Sequence, residues 1–180
     1  MVKERAIILT SKQIEQTLTR IAHEIHENHY KEKELILVGV AGRGSDVAKR
    51  LHQKLSAINS EITVRLESIQ LNKDKPLQED IQCTAEIKSM KGKYVVLIDD
   101  VLNSGKTLIY ASRFLLDADL KGLAIATLID RYHRKFPIRP DYVGLTLSTN
   151  LREHVSVDFT KGKEAVYLDY RNTITCPCAV

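Results

Sequence analysis

Cysteine is scarce in this sequence. Cys83, Cys176 and Cys178 are too few and too unevenly placed for a disulfide framework. The close pair in Cys176-Pro177-Cys178 has no histidine or third cysteine near it, so residues 171–180 read as a flexible tail rather than a metal site. Long apolar runs are also missing, and none approaches the roughly 20 residues of a membrane span. The start, Met1-Val2-Lys3-Glu4-Arg5, runs straight into Ala6-Ile7-Ile8-Leu9. That is too short, and too acidic beside its cations, for a signal peptide. A cytoplasmic protein is the expectation. No repeat, linker or low-complexity stretch is present. A strong excess of either charge is absent too: the net charge is +4 and the pI near 8.9. That balance permits an anionic partner and requires none.

What is present suits one globular domain. The chain has 180 residues, 43% apolar and 28% charged, enough for a full core. Thr10-Ser11 signals a helix start. Ile14, Leu18, Ile21, Ala22 and Ile25 then keep a helical stripe. Thr19, Arg20 and His23 fall on the opposite face, toward solvent or a partner. Leu35 to Val40 reads as a buried parallel strand. It ends in Ala41-Gly42-Arg43-Gly44-Ser45, before a second stripe at Val47, Ala48, Leu51 and Leu55. Ile62, Val64 and Leu66 alternate as a half-buried strand. The run from Gln70 to Gln82 is polar, with Asn72-Lys73-Asp74-Lys75-Pro76 at its centre. A long polar run inside a domain suggests a flexible loop. Further strands are expected at Leu123–Ile129, Tyr142–Leu147, Val155–Phe159 and Ala165–Tyr170. Strands alternating with helices predict an α/β fold with a doubly wound, mainly parallel sheet.

The most informative stretch is Val95 to Thr107. Four apolar residues form a strand, and Asp99 and Asp100 stand where it should end. The turn Asn103-Ser104-Gly105-Lys106-Thr107 follows, and a helix pattern starts at Leu108. Backbone N–H groups, hydroxyls and a cation at a helix start suit a phosphate. The paired carboxylates suit a divalent cation or sugar hydroxyls. A triphosphate P-loop needs a glycine five residues before Gly105, where Asp100 stands. Gly42-Arg43-Gly44 offers a second anion-binding turn but lacks the third glycine of a dinucleotide fingerprint.

These residues carry a resemblance. Val95 to Thr107 resembles the ribose-5-phosphate signature of type I phosphoribosyltransferases. Leu18 to Glu24, Ile36 to Val40, Ile98 to Leu102 and Asp130 to Gly144 are similar to the PyrR family of bifunctional uracil phosphoribosyltransferases and pyrimidine-operon attenuation regulators. The resemblance implies a single phosphoribosyltransferase domain over residues 1–170, with a flexible loop at 70–82 and a small hood at 130–147. It implies transfer of ribose 5-phosphate from 5-phosphoribosyl-1-pyrophosphate (PRPP), with Mg2+, to uracil, giving UMP and pyrophosphate. Asn103 to Thr107 would hold the 5′-phosphate. Asp99 and Asp100 would face the ribose hydroxyls and meet the metal only indirectly. Ala41, Gly42, Arg43 and Gly44 would meet the pyrophosphate. Asp99, Asp100 and Arg43 carry the expected catalysis. Tyr142 and Val143 would cover the base. Asp130 would stand where hypoxanthine-guanine enzymes place a lysine donor, which favours a pyrimidine because an ionised acid cannot donate.

The same likeness implies RNA contacts by Thr19, Arg20, His23, His133, Arg134 and Arg139, an mRNA leader as partner, and a homodimer or higher homo-oligomer. Two departures stand out. Asn103 replaces an aspartate that serves the purine enzymes as general base. Ile69 to Lys75 lacks the family's Tyr-Arg-Asp-Asp run. Both leave room for a regulator with weak or no catalysis, or for an enzyme acting on another base.

Overall fold

The computed structural model describes residues 5–59, 61–72, 80–150 and 153–170. Lys73 to Pro76 of the expected loop, and the 171–180 tail with Cys176 and Cys178, lie outside the described residues.

Strand β1 (Arg5–Thr10) leads into helix α1 (Ser11–His29). Thr10 caps it: its hydroxyl accepts from the Gln13 N–H while Gln13 reaches back to the Thr10 N–H. This reciprocal box satisfies helix-start donors that would otherwise lack partners. The five stripe residues of α1 are all buried, none more than 1% exposed. Each large one contributes roughly 2 kcal/mol of transfer free energy. Thr19, Arg20 and His23 face outward as expected.

The main sheet holds β2 (Glu34–Val40), β3 (Thr63–Gln70), β4 (Gln82–Cys83), β5 (Tyr94–Leu102), β6 (Gly122–Asp130) and β7 (Tyr142–Thr146). Its order among the described residues is β4-β3-β2-β5-β6-β7, parallel except for the short edge strand β4. Helix α2 (Arg43–Ile58) joins β2 to β3. It packs with α1 on one face, where Leu18, Val47, Leu35 and Val96 meet. Helix α3 (Lys106–Leu116) joins β5 to β6 and packs on the other face, against Ile36, Val38 and Leu97. The chain thus winds one way from β2 and the other way from β5. The crevice between those strands, at their carboxyl ends, is where such sheets bind ligands.

Three expectations need correction. The strand read as Val95–Ile98 continues to Leu102, because β6 keeps pairing with it as far as Leu102↔Asp130. Its pairing with β2 stops at Gly39↔Ile98. Asp99 and Asp100 therefore sit inside β5, just past the end of its β2 ladder. The hood expected at 130–147 is not there: Tyr142–Thr146 is a main-sheet strand, paired from Ala126↔Tyr142 to Asp130↔Thr146. The covering layer is a separate antiparallel sheet of β1, β9 (Ala165–Tyr170) and β8 (Glu153–Asp158). Finally, Leu66 is 36% exposed and belongs to neither apolar core cluster.

Tyr142 lies at the start of β7, only 5% exposed. Its hydroxyl takes a hydrogen bond from Asn28 Nδ2 at 3.1 Å and lies 3.1 Å from His29 Nε2. With Asn28 donating, the tyrosine O–H is left to donate to a neutral His29. Burial holds the His29 pKa below its usual value, outweighing the pull of Glu32 in the other direction, and nearby Lys121 adds to the lowering. A lowered folded pKa means that the unfolded chain binds the proton more readily. Stability is therefore complete above the unfolded value of about 6.5 and falls as the pH drops through it. Thermal unfolding from pH 7.5 to 5 is expected to show this decline. His29→Gln should flatten it, and an equally steep decline in the variant would refute the assignment.

Candidate active site

Helices α2 and α3 both open at the carboxyl edge of the sheet. Each starts at a glycine with positive φ, Gly42 at 93° and Gly105 at 82°, and neither has a side-chain cap. The contrast with the fully capped α1 is chemical. The Lys106 N–H makes a long hydrogen bond to Ser104 Oγ at 3.3 Å, and first-turn N–H groups without a side-chain acceptor are donors for an anion. No acidic residue stands in the first turn of α3. The turn before it is held from below: Ser104 O accepts from the N–H groups of Lys135 at 2.9 Å and Phe136 at 3.2 Å. A Cβ on Gly105 would lie 2.6 Å from Ile138 Cγ2. Only glycine gives both the left-handed backbone and this close approach.

A cleft of about 440 Å³ opens above these helix starts. It is lined by Arg43, Asp99, Asp100, Asn103, Ser104, Gly105, Lys106 and Thr107, together with Val101, Leu102, Leu108, Arg131, His154 and Val155. Eight expected site residues are thus gathered in one place. Asp99 and Asp100 are 5% and 9% exposed, and the Asp100 N–H donates to Asp99 Oδ1 at 3.0 Å. Arg43 spans the mouth: its Nε is 3.5 Å from Asp100 Oδ2 and its Nη1 donates to Val157 O at 3.0 Å. One arginine therefore joins the acids to the covering sheet.

Ala41, Gly42 and Gly44 flank the cleft without lining it. The Ala41 N–H already donates to Ile69 O at 2.8 Å. Gly44 serves packing, since a Cβ there would lie 2.9 Å from Asp99 Oδ1 and 3.0 Å from Ile98 O. Its small size lets α2 begin against the acid-bearing strand. Tyr142 and Val143 do not reach the cleft. Tyr142 pairs four residues before the end of β6, about 13 Å down the strand, and its ring belongs to the core beside α1. The Val143 carbonyl accepts from Arg20. Asp130 is buried and held by its own turn, accepting from the Tyr132 N–H at 3.1 Å and pairing with Arg134.

The covering sheet supplies what sequence reasoning missed. His154 and Val155 form the wall facing the acids and the phosphate-type turn. Arg131 was visible only as one cation in a basic run. It is 6% exposed and donates from Nη1 to Asn103 Oδ1 at 3.3 Å and from Nη2 to Glu153 O at 2.7 Å. A guanidinium only donates, so the Asn103 oxygen must face it and the amide N–H₂ is turned away from it.

The expected RNA residues fall in two groups. Thr19, Arg20 and His23 lie on α1, and Arg20 donates to the Val143 and Gly144 carbonyls of edge strand β7. His133, Arg134 and Arg139 lie on the segment 131–141, which crosses the α3 side of the sheet, where Ile138 is buried. The groups flank the β7 edge from opposite faces. His133 is turned inward, its Nε2 against Thr149 O.

No group of three or more histidine, cysteine or acidic residues among the described residues could hold a metal unaided. Among the described residues, no helix is long and apolar enough to cross a membrane.

Comparison with known proteins gives the family and the fold. A phosphoribosyl transferase domain model matches residues 4–160. The bifunctional protein PyrR of Macrococcus caseolyticus is 38% identical over 177 residues, covering 92% of this chain and 99% of that one. Its counterpart in Pelotomaculum thermopropionicum is 39% identical over 176 residues, covering 93% and 97%. A hypoxanthine phosphoribosyltransferase structure from Staphylococcus aureus matches with a TM-score of 0.72 at 20% identity, over 89% of this chain and 90% of that one. That likeness concerns the fold. The chain belongs to the phosphoribosyl transferase domain family and, within it, to the PyrR group.

Proposed function

We propose that this protein transfers ribose 5-phosphate from PRPP to uracil, forming UMP and pyrophosphate, within a single catalytic domain spanning residues 1–170. The observation that carries the reading is the meeting of an uncapped helix start, two buried acids and Arg43 in one cleft at the sheet's switch point. The 5′-phosphate takes the N–H groups and hydroxyls of Ser104 to Thr107. Asp99 and Asp100 accept from the ribose hydroxyls, and Arg43 meets the pyrophosphate. Magnesium suits this donor set as an ion carried by PRPP and touched by the acids only through the sugar. The C1′–oxygen bond breaks with its electron pair on pyrophosphate. A uracil ring nitrogen forms the new bond to C1′, and its proton passes to the departing pyrophosphate or to water. Stabilising the departing negative charge is the main task of the surrounding cations.

The base lies between the turn and the His154–Val155 wall. Asn103 cannot act as a general base, and position 130 offers no ammonium donor. Both favour uracil over a 6-oxopurine. A panel of bases with PRPP and magnesium tests the reading, with UMP from uracil expected. Nucleotide from hypoxanthine or guanine and none from uracil would overturn it.

A second reading concerns RNA. The outward Thr19, Arg20 and His23, together with the exposed Lys135 and Arg139, favour a nucleotide-responsive regulator that binds a pyrimidine-operon leader. Their arrangement on either side of β7 suits a folded RNA held mainly at its phosphates.

A further inference from the structure

Tyr132 is 63% exposed and has a φ of 58°. Left-handed backbone is costly for a bulky residue and is ordinarily given to glycine. Here the turn is enforced by Asp130, which accepts from the Tyr132 N–H. The result is an aromatic ring held out from the surface at a strained position. Arg134 fixes its orientation, with the guanidinium carbon 4.8 Å from the ring centroid, and is itself paired with Asp130. One ring face meets a cation already neutralised by a buried acid, and the rest of the ring is open. Beside it lies a shallow pocket lined by Tyr132, Arg134, Phe136, Pro137, Ile138 and Arg139. Arg139 is an exposed cation in that same lining, and Lys135, three residues along from Tyr132, is exposed as well.

An open aromatic ring in a segment with two exposed cations has the chemistry of a stacking platform for an unpaired base, with its neighbouring phosphates on the cations. We propose that Tyr132 stacks on an unpaired base of a single-stranded RNA loop, while Arg139 and Lys135 hold the adjoining phosphates. This deepens, and rests on, the RNA reading above. A paired duplex offers no free base face and is excluded as the preferred ligand.

The test uses a stem–loop from a pyrimidine-operon leader with 2-aminopurine placed in its loop, titrated with the full chain at several salt concentrations. Wild type and Tyr132→Phe should bind alike and quench the fluorophore. Tyr132→Gly suits the left-handed backbone, so the turn survives without the ring. It should bind about tenfold more weakly, lose the quenching and keep the same salt dependence. Arg139→Ala should instead lower the salt slope by about one unit. Equal affinity of Tyr132→Gly and wild type would overturn the stacking inference alone. So would a Tyr132→Phe as weak as Tyr132→Gly, since the hydroxyl would then be the contact. A wild-type chain that ignores the stem–loop would overturn the RNA reading with it.

Discussion

Asp100→Asn is expected to cut kcat/KM for nucleotide formation by about a thousandfold while leaving thermal stability at or above that of wild type. The amide is nearly the shape of the carboxylate, so the packing at the end of β5 survives. What changes is charge and polarity. A ribose hydroxyl that donates to Asp100 would meet either a weaker acceptor or a second donor. Loss of one well-placed polar contact in a closed site costs about 4 kcal/mol of transition-state stabilisation, which is the thousandfold. Stability moves differently. Asp99 and Asp100 bring two carboxylates to consecutive, buried positions, and Arg43 approaches Asp100 only to 3.5 Å. Desolvation and mutual repulsion both disfavour that arrangement in the absence of ligand. Removing one charge relieves them, the usual trade between stability and a polar active site. Steady-state kinetics and a thermal melt on the same preparation decide it. A variant that melts several degrees lower yet keeps its kcat/KM would assign Asp100 to structure instead of catalysis.

The parts of the fold that depend on local pattern were legible in the sequence. The α1 stripe, the apolar runs of β2 and β5, and the turn before α3 all announce themselves within a dozen residues. The phosphate-type turn and the acids were legible for the same reason, being contiguous. The covering sheet was not. It pairs Arg5 with Asp169, and no local pattern encodes a pairing between the two ends of a chain. That gap put Tyr142 and Val143, rather than His154 and Val155, in the expected lining of the cleft. An aromatic residue at a strand start looks the same in sequence whether it faces a ligand or a core. Only the register with β6 and the contact with Asn28 and His29 place it. Arg131 failed for a related reason. A run of cations suggests a solvated surface, and composition carries no direction. The structure turns Arg131 into the protein while Lys135 and Arg139, in the same run, stay exposed.

Arg131→Met should therefore be the most disruptive single change outside the hydrophobic core, costing about 3 kcal/mol of stability and most of the activity. The side chain ties together three parts of the site. Its Nε and Nη2 donate to Thr149 Oγ1 at 3.2 and 3.1 Å, its Nη2 also to Glu153 O at 2.7 Å, and its Nη1 to Asn103 Oδ1. Its own N–H donates to Leu102 O at 3.0 Å. The end of β5, the end of β6 and the entry to β8 are held by one residue. Methionine fills much of the volume but takes the donors from Thr149 and Glu153, which are half-buried, and from the exposed Asn103, at roughly 1 kcal/mol for each hydrogen bond lost. For a chain of this size about 3 kcal/mol lowers Tm by roughly 6–12 °C. Arg131→Lys should fall in between, because a point-like ammonium cannot reach three divergent acceptors as a planar fork does. Asn103→Asp separates the fold from the chemistry. A carboxylate at that position faces the same guanidinium, so it should form an ion pair, raise Tm and still give no gain in rate, its lone pairs being held by Arg131. Faster turnover in Asn103→Asp would mean that the arginine swings away during catalysis. A Tm for Arg131→Met within a degree of wild type would mean that water replaces the lost donors.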